Sequence, residues 1–349
     1  MNIIHCIYSL NTGGAETMLI DIINKQCKSN QITLIIINNS YQNYLLDKIN
    51  KKINIIFLNR KESSHSLIPF IKLNYILFRL QADVIHLHQS NISAVLLPIF
   101  QNLYYTAHDL NISPKYFHKF KQIFAISDAV KKDILKKGKF PVTTVPNGIV
   151  IEKIDQRNKI QEKSLFRIVQ VARLDSNKKG QDILIKAIFL LQQKGITNIQ
   201  VDFIGTGHSE KELKQLVKDY GIKEQINFLG LQDRKYIYSH LKNYDLMCHP
   251  SRYEGFGLTV IEGMAAKLPV LVATGDGPFE VIQQGNYGFY FENENAEDCA
   301  KKIEEIITNY SLALKKTDKA YQHVINNYSI NQTVQTYLKY YENTIIDQK

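Results

Sequence analysis

The sequence predicts an α/β protein made of two doubly wound parallel-sheet domains. Its 349 residues exceed the size at which one hydrophobic core usually keeps growing, so two domains are expected. Short β-branched runs alternate with longer helical patterns along the chain, which is typical of parallel sheets covered on both faces. The runs form two series, and the polar stretch 151–165 between them is interpreted as a linker.

Each series contains six predicted strands. The first comprises 3–8, 32–37, 53–58, 84–88, 103–107 and 122–126, and the second comprises 166–171, 200–205, 226–229, 246–249, 269–273 and 288–291. We therefore predict an N-terminal domain over 1–160 and a C-terminal domain over 161–349, whose last helix, about 328–349, crosses back to the N-terminal domain. Ligands bind beyond the carboxyl ends of strands in such sheets, so two facing domains would enclose a cleft.

The net charge of +10 is concentrated in the first half of the chain. Residues 1–150 carry 17 Lys and Arg against 8 Asp and Glu, hence +9, whereas the remainder carries 26 against 25, hence +1. This asymmetry favours an anionic partner for the first half, either acidic lipid headgroups or a pyrophosphate-bearing substrate. Nucleic acid is not expected, since the chain has no Trp and no recognisable nucleic-acid motif.

Cysteine usage and hydropathy point to a reducing cytoplasm. The four cysteines are scattered, with no pair at metal-ligand spacing. The N-terminus lacks the basic start of a signal peptide and reads as a buried first strand. The longest apolar stretch, 67–80, is broken by a proline and three polar residues, so it cannot cross a bilayer unaided, although it could lie on one.

The segment 251–266 is the most informative part of the chain, because Glu254 and Glu262 flank a glycine turn between a strand and a helix. Gly255 and Gly257 let backbone come close to a ligand, and the free N–H groups of the new helix suit a phosphate. This arrangement fits a molecule with a central diphosphate and hydroxyl groups at both ends, such as a nucleotide sugar. On the pattern alone, a turn with two solvated glutamates is the commoner outcome.

Two further strand-to-helix loops would face the same cleft. Arg173 and one of Lys178 or Lys179 follow the first strand of the second series, where an arginine and a lysine can hold a diphosphate from two sides. Solvated loop charge is the alternative. Gly13 and Gly14 follow the first strand, where they either form a tight connection or allow a phosphate or sugar to approach the backbone.

Histidines accompany two strands of the first series. His108 follows the strand 103–107 and would project into the cleft, although a lone histidine is more often structural than catalytic. His86 and His88 alternate on one strand, and at least one of them is expected to pack in the core. No Asp-x-Asp motif is present, which removes the simplest divalent-metal handle for a diphosphate. Gly205-Thr-Gly207 lacks the third glycine of a dinucleotide fingerprint, which argues against NAD.

Taken together, these segments resemble the retaining glycosyltransferases of family GT4, which have the GT-B fold. The resemblance spans nearly the whole chain, and its specificity comes from the order and spacing of the motifs. They lie at Gly13, 83–86, 106–109, 125–128, 145–148, Arg173 with Lys179-Gly180, 228–230 and 254–262. The resemblance implies a nucleotide-sugar donor, a UDP-sugar in preference to a GDP- or ADP-sugar, and no metal.

The resemblance also implies roles for individual residues. Glu262 would bind the ribose hydroxyls, and Arg173 and Lys179 would hold the diphosphate. Lys178 competes with Lys179 because the doubled lysine leaves the register open by one residue, and we prefer Lys179 because it directly precedes Gly180. Catalytic roles would fall to His108, Glu254, Arg173 and Lys179. The donor would contact Gly13, Gly14, Gly230, Glu254, Gly255, Phe256, Gly257, Leu258 and Glu262 as well.

The implied activity is transfer of a hexose or N-acetylhexosamine to a saccharide or lipid-linked acceptor during bacterial surface polysaccharide synthesis, at the inner face of the cytoplasmic membrane. The N-terminal domain would bind the acceptor. Its segment 128–139, with a basic side and an apolar seam, would contact an anionic bilayer, and a solvated helix is the alternative. Two other functions stay open, namely a nucleotide-sugar epimerase of the same fold and a non-catalytic sugar-nucleotide-binding partner protein.

Overall fold

The computed structural model describes residues 1–157 and 165–346, so the part of the predicted linker at 158–164 lies outside the described residues. The chain divides into two compact units: the first comprises Met1–Ile149 with the segment from Ile330 onward, and the second comprises Val150–Ser329. This division precedes the boundary predicted after residue 160. The reason is that 150–157 is bonded to the second unit: Arg157 forms an ion pair of 2.8 Å with Asp245 and donates its backbone N–H to Ala266.

The first unit is a seven-stranded sheet in the order β3-β2-β1-β4-β5-β6-β7, with every neighbouring pair parallel. Its strands are β1 (Asn2–Ile7), β2 (Gln31–Asn38), β3 (Asn54–Arg60), β4 (Val84–Leu87), β5 (Leu103–Ala107), β6 (Gln122–Ala125) and β7 (Val142–Thr144). Its helices before the second unit are α1 (Gly14–Gln26), α2 (Asn43–Leu46), α3 (Ile68–Leu80) and α4 (Asp128–Lys136). The six predicted strands are confirmed, and the short β7 was not predicted.

The second unit is a six-stranded parallel sheet in the order β10-β9-β8-β11-β12-β13. Its strands are β8 (Phe166–Val171), β9 (Ile199–Ile204), β10 (Ile226–Phe228), β11 (Leu246–His249), β12 (Val270–Ala273) and β13 (Phe289–Phe291). Its helices are α5 (Ser176–Lys179), α6 (Gln181–Gln193), α7 (Glu210–Asp219), α8 (Arg234–His240), α9 (Leu258–Ala265), α10 (Gly277–Val281), α11 (Ala296–Thr308) and α12 (Tyr310–Asn327). All six predicted strands are present, which confirms the prediction of two doubly wound parallel sheets.

The last helix, α13 (Ile330–Ile346), belongs to the first unit. Its Tyr337 and Tyr341 are fully buried there, and the Tyr337 ring lies edge-on to Phe124 of β6 with 4.8 Å between centroids. Thr333 donates its hydroxyl to the carbonyl of Pro146 at 2.9 Å. The C-terminal helix therefore packs as a covering layer of the N-terminal sheet.

Both sheets reverse their strand order at one point, between β1 and β4 in the first unit and between β8 and β11 in the second. Loops leave such neighbouring strands in opposite directions, which opens a crevice at the carboxyl edge where ligands of doubly wound proteins bind. In the second unit this places the loop after β8 beside the loop after β11. These are the loops that carry Arg173 and Glu254.

Candidate active site

The loops after β8 and β11 are in direct backbone contact. Gly180, between α5 and α6, is left-handed with φ of 63°, and a Cβ there would lie 1.9 Å from the carbonyl oxygen of Pro250. Such an approach requires glycine both for its conformation and for space. The backbone N–H of Arg252 donates to the carbonyl of Lys178 at 2.9 Å. The two loops are therefore fixed to each other by the second-unit fold itself.

Lys179 and Glu254 meet where these loops join. The Lys179 ammonium donates to Glu254 Oε2, and both side chains are largely buried. His249, the last residue of β11, has its Nε2 3.7 Å from the same carboxylate oxygen. Burial, with the nearby Lys179 charge adding to it, lowers the pKa of His249 to about 3, so this imidazole is neutral at ordinary pH. Lys179 therefore supplies the positive charge beside Glu254.

The neighbouring lysine has a different environment. The ammonium of Lys178 lies over the ring of Tyr253, 5.0 Å from its centroid, as in a cation–π contact. Thus the structure brings Lys179 to Glu254 and Lys178 to an aromatic ring of the next loop. This is the geometry expected if Lys179 is the diphosphate lysine, a role that remains a prediction.

Arg173 is exposed on the loop that follows β8. Its carbonyl accepts a hydrogen bond from Gln181 at 2.9 Å, and the loop rests on two glycines after β9. A Cβ at Gly205 would lie 2.0 Å from the Ala172 carbonyl oxygen, and one at Gly207 would lie 2.2 Å from that of Leu174. The sequence showed these glycines only as an incomplete dinucleotide fingerprint. Their structural role is to support the backbone on both sides of Arg173.

The glycine turn between β11 and α9 is supported from the loop after β12. Gly257 caps α9 in the left-handed region with φ of 94°. Gly277 donates its N–H to the Glu254 carbonyl at 3.0 Å, and a Cβ there would lie 2.4 Å from the Gly255 oxygen. Phe256 is buried between them. Leu258 begins the helix, whose first N–H groups have no intrahelical acceptor and suit an anion.

Glu262, in the second turn of α9, is buried and oriented by α8. Its Oε1 accepts a hydrogen bond from the Tyr238 hydroxyl at 3.1 Å, and the Arg234 guanidinium Nε lies 3.9 Å from the same oxygen. Asp233 caps α8 by accepting the backbone N–H of Tyr236 at 2.7 Å. A carboxylate has two oxygens that can each accept more than one hydrogen bond, so Glu262 suits hydroxyl groups of a ligand. Sequence reasoning missed both Arg234 and Tyr238.

Gly230 lies after β10, on the same carboxyl edge. Its carbonyl accepts the N–H of Gly205 at 2.8 Å, and its φ of 67° is left-handed, with no atom within 4 Å of the point that a Cβ would occupy. A side chain there would be strained by conformation rather than by contact. Its predicted place near the base of a nucleotide is a hypothesis that the position on the sheet edge permits.

In the first unit, the glycine turn after β1 opens α1. Gly13 caps the helix in extended conformation, which any residue can adopt, but a Cβ there would lie 2.3 Å from Glu16 Oε2. Gly14 is the first helical residue. The Gly13 carbonyl accepts from both the backbone N–H and the hydroxyl of Thr17, at 3.1 and 2.7 Å. The turn is thus a regular helix start at the carboxyl end of β1, and its proposed contact with a donor remains a prediction.

His108 is the end of a hydrogen-bonded chain of imidazoles. His88 Nδ1 lies 3.1 Å from His108 Nε2, His5 Nδ1 lies 3.1 Å from His88 Nε2, and His5 Nε2 lies 2.8 Å from Gln26 Oε1. With the Gln26 oxygen accepting, His5 and then His88 and His108 each carry the proton on Nε2, and His108 keeps Nδ1 as an acceptor. Burial lowers the pKa of His5 and of His108 to about 4.

His86, in β4, forms a separate hydrogen-bond network. Its Nδ1 bonds the Tyr341 hydroxyl, and its Nε2 lies 2.7 Å from the Thr106 hydroxyl. Burial also holds the pKa values of His86 and His88 well below the usual range. His86 in β4 and His88 directly after it are therefore both packed, hydrogen-bonded and neutral, as expected for at least one of them.

The helix α4 does not present its apolar seam to the surroundings. Val130 and Ile134 are fully buried in the first unit, and Leu135 is the exposed apolar residue of the helix. Ser127 caps the helix by accepting the backbone N–H of Val130 at 3.1 Å. The apolar seam that the sequence assigned to a bilayer is thus the core-facing side of the helix, which matches the solvated-helix alternative.

Metal clusters and membrane-spanning helices are both lacking in the described part of the chain. Within 1–157 and 165–346, no three His, Cys, Asp or Glu side chains are grouped so that they could hold a metal ion. Among the helices of the same residues, none combines the length and the hydropathy needed to cross a bilayer.

Two family models match the chain in tandem. The model described as Glycosyltransferase Family 4 matches residues 12–153, and the model described as Glycosyl transferases group 1 matches residues 150–323. The two sheets and their carboxyl-edge loops define a protein of the Rossmann-like, two-domain class. The chain belongs to the GT4-type group 1 glycosyltransferases.

Individual proteins are similar to this chain over shorter stretches than the two family models together. A glycosyltransferase of Haemophilus influenzae is 31% identical over 166 residues, covering 47% of this chain and 46% of that protein. The capsular polysaccharide biosynthesis glycosyltransferase CapM of Staphylococcus aureus is 29% identical over 205 residues, covering 54% and 53%. The matched stretches thus span about half the length of these curated relatives.

The structural similarity covers nearly the whole chain. HepE of Anabaena, solved in complex with UDP and glucose, superposes with a TM-score of 0.81 at 20% identity over 97% of this chain and 98% of that one. At this identity the likeness concerns the fold, and it identifies the two units as those of the GT-B architecture.

Proposed function

We propose that this protein is a retaining glycosyltransferase that transfers a hexose or an N-acetylhexosamine from a UDP-sugar to a saccharide or lipid-linked acceptor. Its setting would be bacterial surface polysaccharide synthesis at the inner face of the cytoplasmic membrane. The observation that carries the proposal is the contact between Lys179 and Glu254 at the switch point of the second sheet. That contact lies beside the N-terminus of α9, in the crevice where doubly wound sheets bind nucleotides.

In this proposal the second unit binds the donor. Arg173, Lys179 and the first N–H groups of α9 hold the diphosphate, and the Glu262 carboxylate accepts hydrogen bonds from the ribose hydroxyls. Glu254 binds hydroxyls of the transferred sugar, with Gly255 to Leu258 close to sugar and phosphate, and Gly230 lies near the base. The positive charges stabilise the diphosphate as negative charge develops on it, which is the largest contribution that such a site can make.

The reaction breaks the bond between the anomeric carbon and the diphosphate oxygen and forms a bond from the same face to the acceptor oxygen. The acceptor proton passes to the departing diphosphate oxygen. No protein nucleophile takes part, so Glu254 orients the sugar rather than attacking it. No metal is needed in this scheme, because Arg173, Lys179 and the helix N-terminus supply the positive charge.

The first unit would bind the acceptor and approach the sugar through His108. Its imidazole is neutral, and the chain through His88 and His5 leaves His108 Nδ1 free to accept a hydrogen bond from a hydroxyl. A neutral imidazole that accepts a hydrogen bond suits an uncharged sugar better than a cationic imidazolium would. The Gly13–Gly14 turn, at the carboxyl end of β1, is proposed to approach the donor from this unit.

Relatives support the donor class and the setting. CapM is named for capsular polysaccharide biosynthesis, and HepE was solved with UDP and glucose. Both findings concern those proteins, and they favour a UDP-sugar and an envelope polysaccharide for this one. The basic first unit is compatible with an acceptor held at an anionic surface.

The test is incubation of the purified protein with a panel of UDP-sugars and a bacterial membrane extract, followed by NMR of any product. We expect one donor to yield a glycoside with the donor's anomeric configuration. An inverted product would refute retention, and conversion of the UDP-sugar without acceptor would indicate an epimerase. A rise in melting temperature with UDP but no product from any donor would indicate a non-catalytic binding protein.

A further inference from the structure

The helix α3 exposes an unusual amount of apolar surface. Five apolar residues on one side, the N-cap Leu67 and four residues of the helix, are between 61% and 72% exposed; the four are Ile68, Ile71, Tyr75 and Phe78. Soluble proteins seldom leave such residues grouped in water, and a contiguous apolar patch usually marks a contact site. We call this set the α3 apolar face.

The helical spacing makes these residues one surface. At 3.6 residues per turn, positions 67, 71, 75 and 78 follow one another along one side, and 68 lies next to them. The opposite side holds the buried Leu73 and Leu77, which anchor the helix to the first unit. The helix is therefore apolar on two sides, and the fold of its own unit uses one of them.

A neighbouring loop extends the α3 apolar face. Leu97 and Ile99 are 52% and 60% exposed, and Asn74 fixes their loop to the helix. The Asn74 side chain donates to the Val95 carbonyl and accepts the Leu97 N–H, both at 2.8 Å. The buried amide thus places the exposed loop residues beside the exposed edge of α3.

The charged residues of α3 itself are positive. The helix Ile68–Leu80 contains no acidic residue, and its Lys72 and Arg79 are exposed next to Ile68 and Tyr75 on the helical projection. Long basic side chains bordering apolar ones can lay their stems on acyl chains while their charged ends reach phosphates. At 13 residues the helix is about 20 Å long, too short to span a bilayer of about 30 Å.

We propose that the α3 apolar face is the membrane-binding surface of this protein, lying in the headgroup region of an anionic bilayer. Leu67, Ile71 and Phe78 would enter the acyl boundary, while Lys72 and Arg79 bind lipid phosphates. Anionic lipid is favoured over a protein partner or a second copy because the charged residues of α3, Lys72 and Arg79, are both basic. This inference rests on the proposed function solely for its purpose, which is to hold the enzyme near a lipid-linked acceptor.

The experiment is co-sedimentation with vesicles of phosphatidylcholine containing about 30% phosphatidylglycerol, compared with pure phosphatidylcholine. The variant is Ile71→Glu with Phe78→Glu, and the matched control is Leu312→Glu with Ile325→Glu, two exposed apolar positions on α12. We expect the α3 variant to bind anionic vesicles at least about tenfold more weakly, and the control to bind within about twofold of wild type. A third variant, Lys131→Glu with Lys132→Glu, tests α4 directly.

Equal vesicle binding by wild type and the α3 variant, or loss confined to the α4 variant, would overturn the proposal. So would a dimer in sedimentation velocity that the α3 variant abolishes without any vesicle binding by wild type. The UDP-induced rise in melting temperature is measured on each variant. Its absence in wild type would contradict the proposed function, whereas its retention in a variant that has lost vesicle binding separates the two claims.

Discussion

The two sheets share one strand order, but the candidate-site side chains at their carboxyl edges are charged in the second sheet and neutral in the first. At the edge of the second sheet the side chains are charged and paired, as in Lys179 with Glu254 and Arg234 beside Glu262. At the edge of the first sheet the corresponding groups are the imidazoles of His88 and His108, which continue a hydrogen-bonded series from His5 inside β1 and are kept neutral by burial. Under the proposed function, the same scaffold would bind an anion in the second unit and neutral hydroxyl groups in the first.

This difference has a physical origin. A diphosphate needs fixed positive charge, and a lysine held against a carboxylate at a crevice keeps its charge and its position. A sugar hydroxyl needs a partner with a defined donor or acceptor, which a neutral imidazole provides only when its tautomer is fixed. Here the Gln26 side chain fixes the tautomer of His108 through His5 and His88.

The largest expected effect concerns Lys179. Lys179→Ala should lower kcat/KM by about 100- to 1000-fold, because the charge next to the departing diphosphate is lost. Lys178→Ala is the matched control and should cost less than about fivefold, since Lys178 lies over Tyr253. Steady-state release of UDP from the best donor measures both. A larger loss in the Lys178 variant would shift the diphosphate role by one residue.

Acid should destabilise the first unit, which contains the hydrogen-bonded imidazoles of His5, His88 and His108. The folded pKa of His5 and of His108 is about 4, whereas an unfolded histidine has a pKa of about 6.5. Between these values the unfolded chain binds more protons than the folded one, so the free energy of unfolding falls as pH drops from about 6.5 to about 4. The loss is on the order of 3 kcal/mol for each group at pH 4.

Urea unfolding at several pH values measures this loss. His5→Gln removes one titrating group and should make the pH dependence shallower, which serves as the internal comparison. An NMR titration that found His108 protonating at the ordinary pKa of a histidine would contradict a buried, neutral imidazole chain.

The junction of the two loops in the second unit depends on Gly180. Gly180→Ala should lower the free energy of unfolding by about 2 kcal/mol for two reasons. Alanine is strained in the left-handed conformation of this position, and its Cβ would clash with the Pro250 carbonyl oxygen. Gly221→Ala is a matched control, with φ of 66° and no atom within 4 Å of its Cβ position, and should cost about 1 kcal/mol. Equal losses of unfolding free energy in the two variants would show that the Pro250 carbonyl moves aside with no free-energy penalty.

The smallest effect concerns Glu262. Glu262→Gln should weaken UDP binding about tenfold, and all UDP-sugars alike, because one charge-assisted set of ribose hydrogen bonds is lost. Tyr238→Phe removes one hydrogen bond to the carboxylate and should cost about threefold in the same calorimetric titration. A change in sugar preference without a change in UDP affinity would move Glu262 away from the ribose.

Much of this fold could be predicted because its strands are continuous β-branched runs, which parallel sheets require. The strand β7, Val-Thr-Thr after Pro141, was not predicted because it has a single aliphatic residue and lacks the aromatic residues that marked the equally short β10 and β13. The positions of the site loops followed from the rule that ligands bind at carboxyl edges. The residues that orient the site side chains could not be predicted in this way. Arg234 and Tyr238 reach Glu262 from another helix, and no local sequence pattern marks them.

Periodicity alone does not distinguish a covered helix face from an exposed one. The apolar seam of α4 and the apolar residues of α3 look alike in sequence, yet Val130 and Ile134 are buried whereas Ile71 and Phe78 are exposed. A 3.6-residue pattern identifies a face but does not show what covers it. The imidazole chain was invisible for a similar reason, since His5 and His88 are 83 positions apart in sequence.

The central claim is that the carboxyl edge of the second sheet binds a diphosphate through Arg173 and Lys179. Calorimetric titration of wild type and of the Arg173→Ala, Lys179→Ala double variant with UDP and with uridine tests it most directly. We predict that wild type binds UDP at least about 100-fold more tightly than uridine, and that the variant loses this difference while it still binds uridine. Undiminished preference for UDP in the double variant would contradict the account.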